Sequence, residues 1–271
     1  MPVDSQSLAE KKAHFLVEQE LAKRLRRSTR EQRPGLFRTL YGELFARVPH
    51  HSRVALRENA DETRREVAAR MRLLQPHLAG VQTFLEFAPG DCRLAWKVCE
   101  QVPRVIAVDI SDQSGGAQAP RNFLLVVYDG YHLDLPDHCA DLLFSYQFIE
   151  HLHPDDVLLH FQLAHRLLRP GGKYIFATPH RFSGPHDISR LFSDVPQGFH
   201  LKEWTYRELA AVVKAARFSR WHSYRLGRLR PSWAVNLVTL GAELALSPWP
   251  RRLRRKLSAR LFTAVTMGVQ K

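Results

Sequence analysis

"FLEFAPGDCRLA", residues 84–95, decides how the rest of the chain is read. An apolar run closes on Glu86 and Phe87, Pro89 and Gly90 make a turn, and a helical pattern starts near Arg93. A strand, a tight turn and a helix in that order outline a nucleotide-binding loop after a first strand. Such loops carry glycine at positions where this chain has Ala88 and Cys92.

Downstream of this stretch, short apolar runs alternate with helical segments: "RVIAVDI", "FLLVVYD", "ADLLFSY" and "KYIFATP". Runs of this length, rich in Val, Ile and Phe and bounded by Gly, Pro or Asp, suit strands buried on both faces. Helices are expected at about 92–101 and 155–168. The alternation predicts a doubly wound α/β sheet with right-handed crossovers. "DDVLLHFQLAHRLLRPGG" is the clearest helix: Asp155 and Asp156 open it, Arg166 and Arg169 close it, and Pro170 stops it. "SRWHSYRLG" and "FTAVTMGVQK" read as strands six and seven. The fold expected is therefore Rossmann-like and seven-stranded, with strands one to six parallel and strand seven antiparallel.

Upstream, residues 8–27 read as a helix with Phe15, Leu16, Leu21 and Leu25 on one side. "STRE" (28–31) has the spacing of a capping box opening a second helix. A third is expected at about 61–78. Residues 1–79 thus form an N-terminal helical cap and 80–271 the main domain, with a basic helical insert at 229–259 between strands six and seven.

Composition sets outer limits. With 271 residues, 45% of them hydrophobic, the chain can bury a substantial core. Of the net charge of +13, residues 217–271 supply +11, from twelve Lys/Arg and the single acid Glu243. Three cysteines form no CxxC pair or metal spacing, and together with the lack of a targeting motif this favours a cytoplasmic location. No run reaches the roughly 18 apolar residues of a membrane helix.

Ligands of an open parallel sheet bind beyond the strands' carboxyl ends, at the switch in strand order. Glu86 to Gly90, Asp109, Asp129 with Gly130, and Ser145 to His151 fall there. An acid after strand two can accept both hydrogen bonds of a ribose diol, and one after strand three can accept from an adenine amino group. No GxxxxGK[ST] and no GxGxxG supplies a phosphate clamp. The ligand implied carries adenosine without a polyphosphate.

Taken together, "LEFAPGDCRLA", "VIAVDIS", "YDGYHLDLPDHCADLLFSYQFIEHL" and "LLRPGGKYIFATP" resemble, in order, the motifs of class I S-adenosylmethionine-dependent methyltransferases over roughly residues 80–226. "GFHLKEWTYRELAAVVKAARF" is similar to the segment before their sixth strand. The resemblance implies S-adenosylmethionine as cofactor, held by Glu86, Ala88, Gly90, Asp109, Ile110, Asp129, Gly130, Ser145 and Gln147. Ala88 is expected to be tolerated with a negative φ, and Cys92 to pack at the helix start, with a reactive thiolate there as the other reading.

His151, with Glu150 beside it, is the candidate catalytic base for transfer to oxygen. Ubiquinone-type O-methyltransferases carry Glu-x-x-Glu-His here and can bind a divalent metal. Gln147-x-x-Glu150-His151 is one carboxylate short, so no metal is expected. His180, His186, Asp187 and His200 lie in the loop after strand five, expected to face the acceptor. The insert is expected to cover that site. Its segment 249–260 suits contact with an anionic membrane, a clamp on an acidic acceptor, or a merely solvated face. A small molecule, or a lipid or glycan intermediate, is the expected acceptor. Nucleic acid is not, since no binding module or stacking array is present. The competing class is a non-catalytic adenosyl-binding or membrane-associated scaffold.

Overall fold

Strand β1 (Thr83–Phe87) is buried at all five positions, which its apolar, two-faced sequence requires. The computed structural model describes residues 7–49, 60–116, 118–225, 228–229 and 232–271. Parallel to β1 run β2 (Arg104–Asp109), β3 (Phe123–Val127), β4 (Ala140–Tyr146) and β5 (Leu168–Pro179). β6 (Arg220–Arg225), a two-residue β7 (Arg228–Leu229) and β8 (Ala264–Gln270) complete the sheet in the order β3-β2-β1-β4-β5-β8-β6-β7. β8 pairs antiparallel with both β5 and β6, so β6 runs with the parallel set. The expected seventh strand is thus β8, and β7 only lengthens the edge of β6.

Pairing of β4 with β5 slips between Ala140 and Leu142, so that Arg169 to Gly172 bulge out before the regular register begins at Lys173. The "RPGG" stop is therefore a turn inside the strand's bounds.

Alternate side chains of the sheet feed two cores. Leu85, Phe87, Ile106 and Phe176 face α5 (Val157–Leu167) and α6 (Tyr206–Ala215). Phe84, Val105, Ala107 and Ile175 face α3 (Ala60–Leu74) and α4 (Arg93–Val98). A third cluster joins α1 (Leu8–Arg26) and α2 (Arg33–Arg47) to Phe199 and Leu201. Burying these apolar stripes, rather than helix propensity, is what holds the helices.

Two local expectations fail. On α1 the contact face carries Phe15, Leu21, Ala22 and Leu25, while Leu16 is half exposed. Ser28 and Glu31 form no capping box: Ser28 Oγ donates to Leu25 O at 2.6 Å, and α2 begins later, with Pro34 in its first turn. Proline lacks an N–H and has φ preset for that turn, so it outranks the box as a start signal. True boxes form at Ser7/Glu10 and Thr205/Glu208.

Between β6 and β8 the insert folds as α7 (Trp233–Leu246) and α8 (Arg251–Leu261). It does not cover the cavity described below, contrary to expectation. Asn236 ties α7 to β6, donating to Trp221 O at 2.7 Å and accepting from Ser223 N at 3.3 Å. Glu243 pins it to His180, just beyond β5, at 2.6 Å, and to the amides of Tyr206 and Arg207. These polar latches lay α7 against the sheet edge instead of across its end.

Candidate active site

A cavity of about 480 Å³ opens at the carboxyl ends of β1, β2 and β4, where the strand order reverses. Its floor is the loop Ala88–Asp91 with Val108, Asp109 and Ile110; Tyr146, Gln147, Phe148 and His151 form the wall beyond β4. Phe37, Leu40 and Tyr41 of α2 roof it, and Thr63, Glu66 and Arg70 of α3 close one side. The size and the mixed apolar and polar lining fit a small-molecule site.

The floor loop is conformationally tense. Ala88 has φ 52°, Gly90 φ 60°, Cys92 φ 61°, and across the switch Gln147 has φ 53°. The expected negative φ at Ala88 is therefore not found. Its amide still continues the β1–β2 ladder, donating to Val108 O at 2.8 Å, so the chain turns immediately after its last sheet bond. Non-glycine residues there store strain, and such strain gathers at functional sites. Cys92 is fully buried, and burial pushes its thiol up to about 12, which removes the reactive-thiolate reading.

Below the loop, Glu86 is buried and does not reach the cavity lining. Burial pushes its carboxyl up to about 8; Arg70 pulls it down, while Asp91 and Asp109 push it further up. Its Oε2 has no hydrogen-bond partner among the described residues. Asp109, buried at the end of β2, does line the cavity and accepts from Ser111 N at 3.2 Å.

Gly130 lines the cavity at φ 93°, and a Cβ there would stand 3.0 Å from the Phe37 ring. Only glycine lets α2 seat this closely. Asp129 does not line the cavity. Its carboxylate closes its own turn, accepting from Tyr131 N at 2.8 Å, His132 N at 2.7 Å and the His132 ring. Ser145 is also withdrawn: its Oγ meets Tyr174 OH at 2.6 Å, which in turn meets His160 Nε2 at 2.8 Å.

His160 is a lining residue that the sequence reading missed. Burial pushes it down to about 3, so it is neutral. It falls on the buried stripe of α5 with Val157, Phe161, Ala164 and Leu167, and a polar residue in that stripe was the available signal.

His151 stands on the cavity wall, and its Nδ1 donates to Phe199 O at 3.0 Å. That bond selects the Nδ1–H tautomer and makes Nε2 the basic nitrogen. Glu150 points away from the cavity. It accepts from Thr178 Oγ1 at 2.8 Å, and its backbone carbonyl accepts from the amides of Leu201 and Lys202. It fastens the loop that carries Phe199.

His200 packs edge-on to His151 at 5.1 Å and shares a proton with Glu203 at 2.9 Å. Glu150, His151 and His200 each bring one donor atom within 4.8 Å of the others, a two-histidine, one-carboxylate set that could hold a divalent cation. The expectation of no metal rested on neighbours in sequence, and His200 is a donor that only the fold delivers. His180, His186 and Asp187 do not face the cavity: His180 pairs with Glu243, His186 with Glu203, and Asp187 caps the turn at Ser189.

One latch holds the roof. Arg33, at the start of α2, donates to Asp156 Oδ2 at 2.6 Å, and Tyr131 OH donates to the same oxygen at 2.6 Å. Both Arg33 and Asp156 are buried.

Residues 85–176 match the family model described as a methyltransferase domain. A curated protein of Mycolicibacterium smegmatis, described as a probable S-adenosylmethionine-dependent methyltransferase, is 26% identical over 197 residues, covering 68% of this chain and 73% of that protein. Among solved structures, a SAM-dependent methyltransferase from Archaeoglobus fulgidus superposes with a TM-score of 0.54 at 18% identity, covering 77% of this chain and 94% of that one. The Burkholderia thailandensis 1,6-didemethyltoxoflavin-N1-methyltransferase, bound to its substrate and S-adenosylhomocysteine, gives 0.52 at 21% identity, covering 84% and 88%.

Proposed function

We propose that this chain, a class I S-adenosylmethionine-dependent methyltransferase, methylates an oxygen of a small molecule, or of a lipid or glycan intermediate, with His151 as the base. Among the residues proposed for the cofactor, Asp109 is suited to the ribose diol, and Ala88, Gly90, Ile110, Gly130 and Gln147 to the adenosyl and methionine walls. The fit rests on charge. Asp91 and Asp109 line this floor with Arg70 beside them, and beneath it the buried Glu86 keeps an unpartnered oxygen and can ionise toward a cationic ligand. A ligand bearing a sulfonium and an ammonium balances that field. When bound, the cofactor supplies a methyl group on a positive sulfur, open to in-line attack.

The chain's own part is to place the acceptor and take its proton. Phe37, Tyr41, Phe148 and Phe199 give the cavity aromatic surfaces against which an acceptor can be positioned. His151, held by Phe199 O, accepts the hydroxyl proton at Nε2. This fixed imidazole on the cavity wall is the observation that carries the reading. A neutral nitrogen with a free lone pair can be methylated without such a base, whereas a hydroxyl needs one; the name of the 1,6-didemethyltoxoflavin-N1-methyltransferase marks nitrogen as the competing acceptor atom.

Calorimetric titration with S-adenosylmethionine and S-adenosylhomocysteine tests the cofactor, and Asp109→Ala is expected to abolish binding of both. Acceptor captured on the S-adenosylhomocysteine-loaded protein then serves for turnover. His151→Ala is expected to keep cofactor binding while turnover drops by about 10²–10⁴-fold. Full turnover in that variant would refute the base assignment.

A further inference from the structure

Helix α7 leaves an apolar stripe outside. Its protein-facing side carries buried Thr239, Glu243 and Leu246, with Leu240 packed against the core and the latching Asn236. Its solvent-facing side carries Trp233 (74% exposed), Leu237 (56%), Val238 (72%) and Leu244 (62%). Trp233, Leu237 and Leu244 are spaced by four and seven residues, so they form one stripe along the helix. A surface helix normally turns its apolar stripe inward. Here polar latches help hold the helix with this second apolar stripe outward: Glu243 to His180, Tyr206 and Arg207, and Asn236 to β6.

Helix α8 follows at once and adds charge. Arg251, Arg252, Arg254, Arg255, Lys256 and Arg260 lie in eleven residues, and no acidic residue follows Glu243 to the end of the chain. Arg254 is engaged with Ser247 O and the Phe182 ring, and Ser258 is buried, which fixes the inner side. The outer side combines exposed Trp249 and Leu253 with Arg252, Lys256 and Arg260, at helical spacing. Large exposed apolar side chains interleaved with cations are the composition of a helix that lies in a lipid interface.

We propose that α7 and α8 form a docking surface for an anionic lipid bilayer, the apolar stripe entering the headgroup region and the cations meeting lipid phosphates. The inference rests on the lipid-intermediate form of the acceptor reading. The sequence pointed only to 249–260; the structure adds α7 and gives the surface its apolar half. Charge complementarity selects the occupant: anionic headgroups match the cations of α8 while the acyl region receives the stripe of α7, whereas a second copy of the chain would set the same cations against each other. Among the described residues no helix is long and apolar enough to cross a membrane, so the proposed contact is a surface one. The His180–Glu243 pin sets α7 against the loop just beyond β5, at the end of the sheet where the cavity opens, yet no residue of α7 or α8 lines that cavity.

Co-sedimentation of the full chain with phosphatidylcholine vesicles, with and without phosphatidylglycerol, tests this. Binding is expected only to the anionic vesicles, weakening as salt is added. Trp233 and Trp249 fluorescence should shift to shorter wavelength on binding. Combined Arg252→Gln, Lys256→Gln and Arg260→Gln should weaken vesicle binding roughly 100-fold. Leu237→Ser with Val238→Ser should weaken it by about 10-fold. Both variants change exposed residues away from the cavity, so their titration with S-adenosylmethionine should match the parent. No sedimentation with anionic vesicles by a chain that titrates normally with cofactor overturns docking and leaves the methyl-transfer reading standing. Vesicle binding that both variants retain in full, or binding to an acidic protein but not to vesicles, also overturns it. Vesicle binding lost in the variants supports docking even if the transferred methyl is found on nitrogen.

Discussion

Ala88 and Cys92 pose the same backbone question and answer it differently. Both sit at positive φ, which costs a non-glycine residue about 1 kcal/mol or more. Ala88→Gly removes that cost and gives up only a methyl at the cavity floor. It should raise the unfolding temperature by about 2 °C in a thermal melt. Cys92→Gly recovers a similar amount but empties a fully buried site, which costs about 1 kcal/mol, so its melt should be nearly unchanged. A second residue-scale prediction concerns Glu86. Burial raises its pKa from 4.5 to about 8, so without cofactor the folded chain holds a proton that the unfolded chain sheds. Its contribution to stability is full below pH 4.5 and is lost as pH rises toward 8. A cationic ligand above it favours the carboxylate. Cofactor binding near pH 7 should therefore release a proton, and affinity should rise from pH 6 to 8. Calorimetry in two buffers of different ionisation enthalpy measures the release; if Glu86→Gln releases as much, the linkage is wrong. The acids were legible in sequence from strand-end spacing. Their differing fates were not: Asp129 closes its own turn while Asp109 faces the cavity, and that depends on local hydrogen bonds.

At the level of elements, the active-site roof depends on one polar contact. Arg33 reaches across from α2 to Asp156 at the start of α5, where both are buried. Arg33→Ala leaves a buried carboxylate with fewer donors, a loss of about 3 kcal/mol. Chemical denaturation should report that loss, and cofactor affinity should fall with it as α2 loosens over Gly130. If stability is unchanged, the latch carries no weight. Helix positions were readable where apolar periodicity is strong: α5, expected at about 155–168, follows its stripe closely. The start of α2 was misread because Ser28 and Glu31 have the spacing of a box, and nothing local says that Pro34 wins. The insert was misplaced for a related reason. Its path is set by Asn236 and Glu243 bonding to groups 15 and 63 residues away.

For the molecule as a whole, ligand binding and folding share one free energy. S-adenosylmethionine at a hundred times its dissociation constant should add about 2.7 kcal/mol to stability, a rise of about 5 °C in the melt. Asp109→Ala should show no rise, and a rise equal to the parent's would remove Asp109 from the cofactor site. The sequence by itself determined the doubly wound sheet, the strand-end positions of the site and, through its resemblance to a known family, the cofactor class. Each of these rests on local patterning: strand periodicity, turn residues and acids at strand ends act within a few residues of themselves. Only the tertiary structure decided the strain at Ala88, the withdrawal of Glu150 and Ser145, the arrival of His160, the stacking of His200 edge-on to His151, and the outward apolar face of α7. Each depends on partners that the sheet brings together from distant parts of the chain, where spacing in sequence says nothing about distance in space.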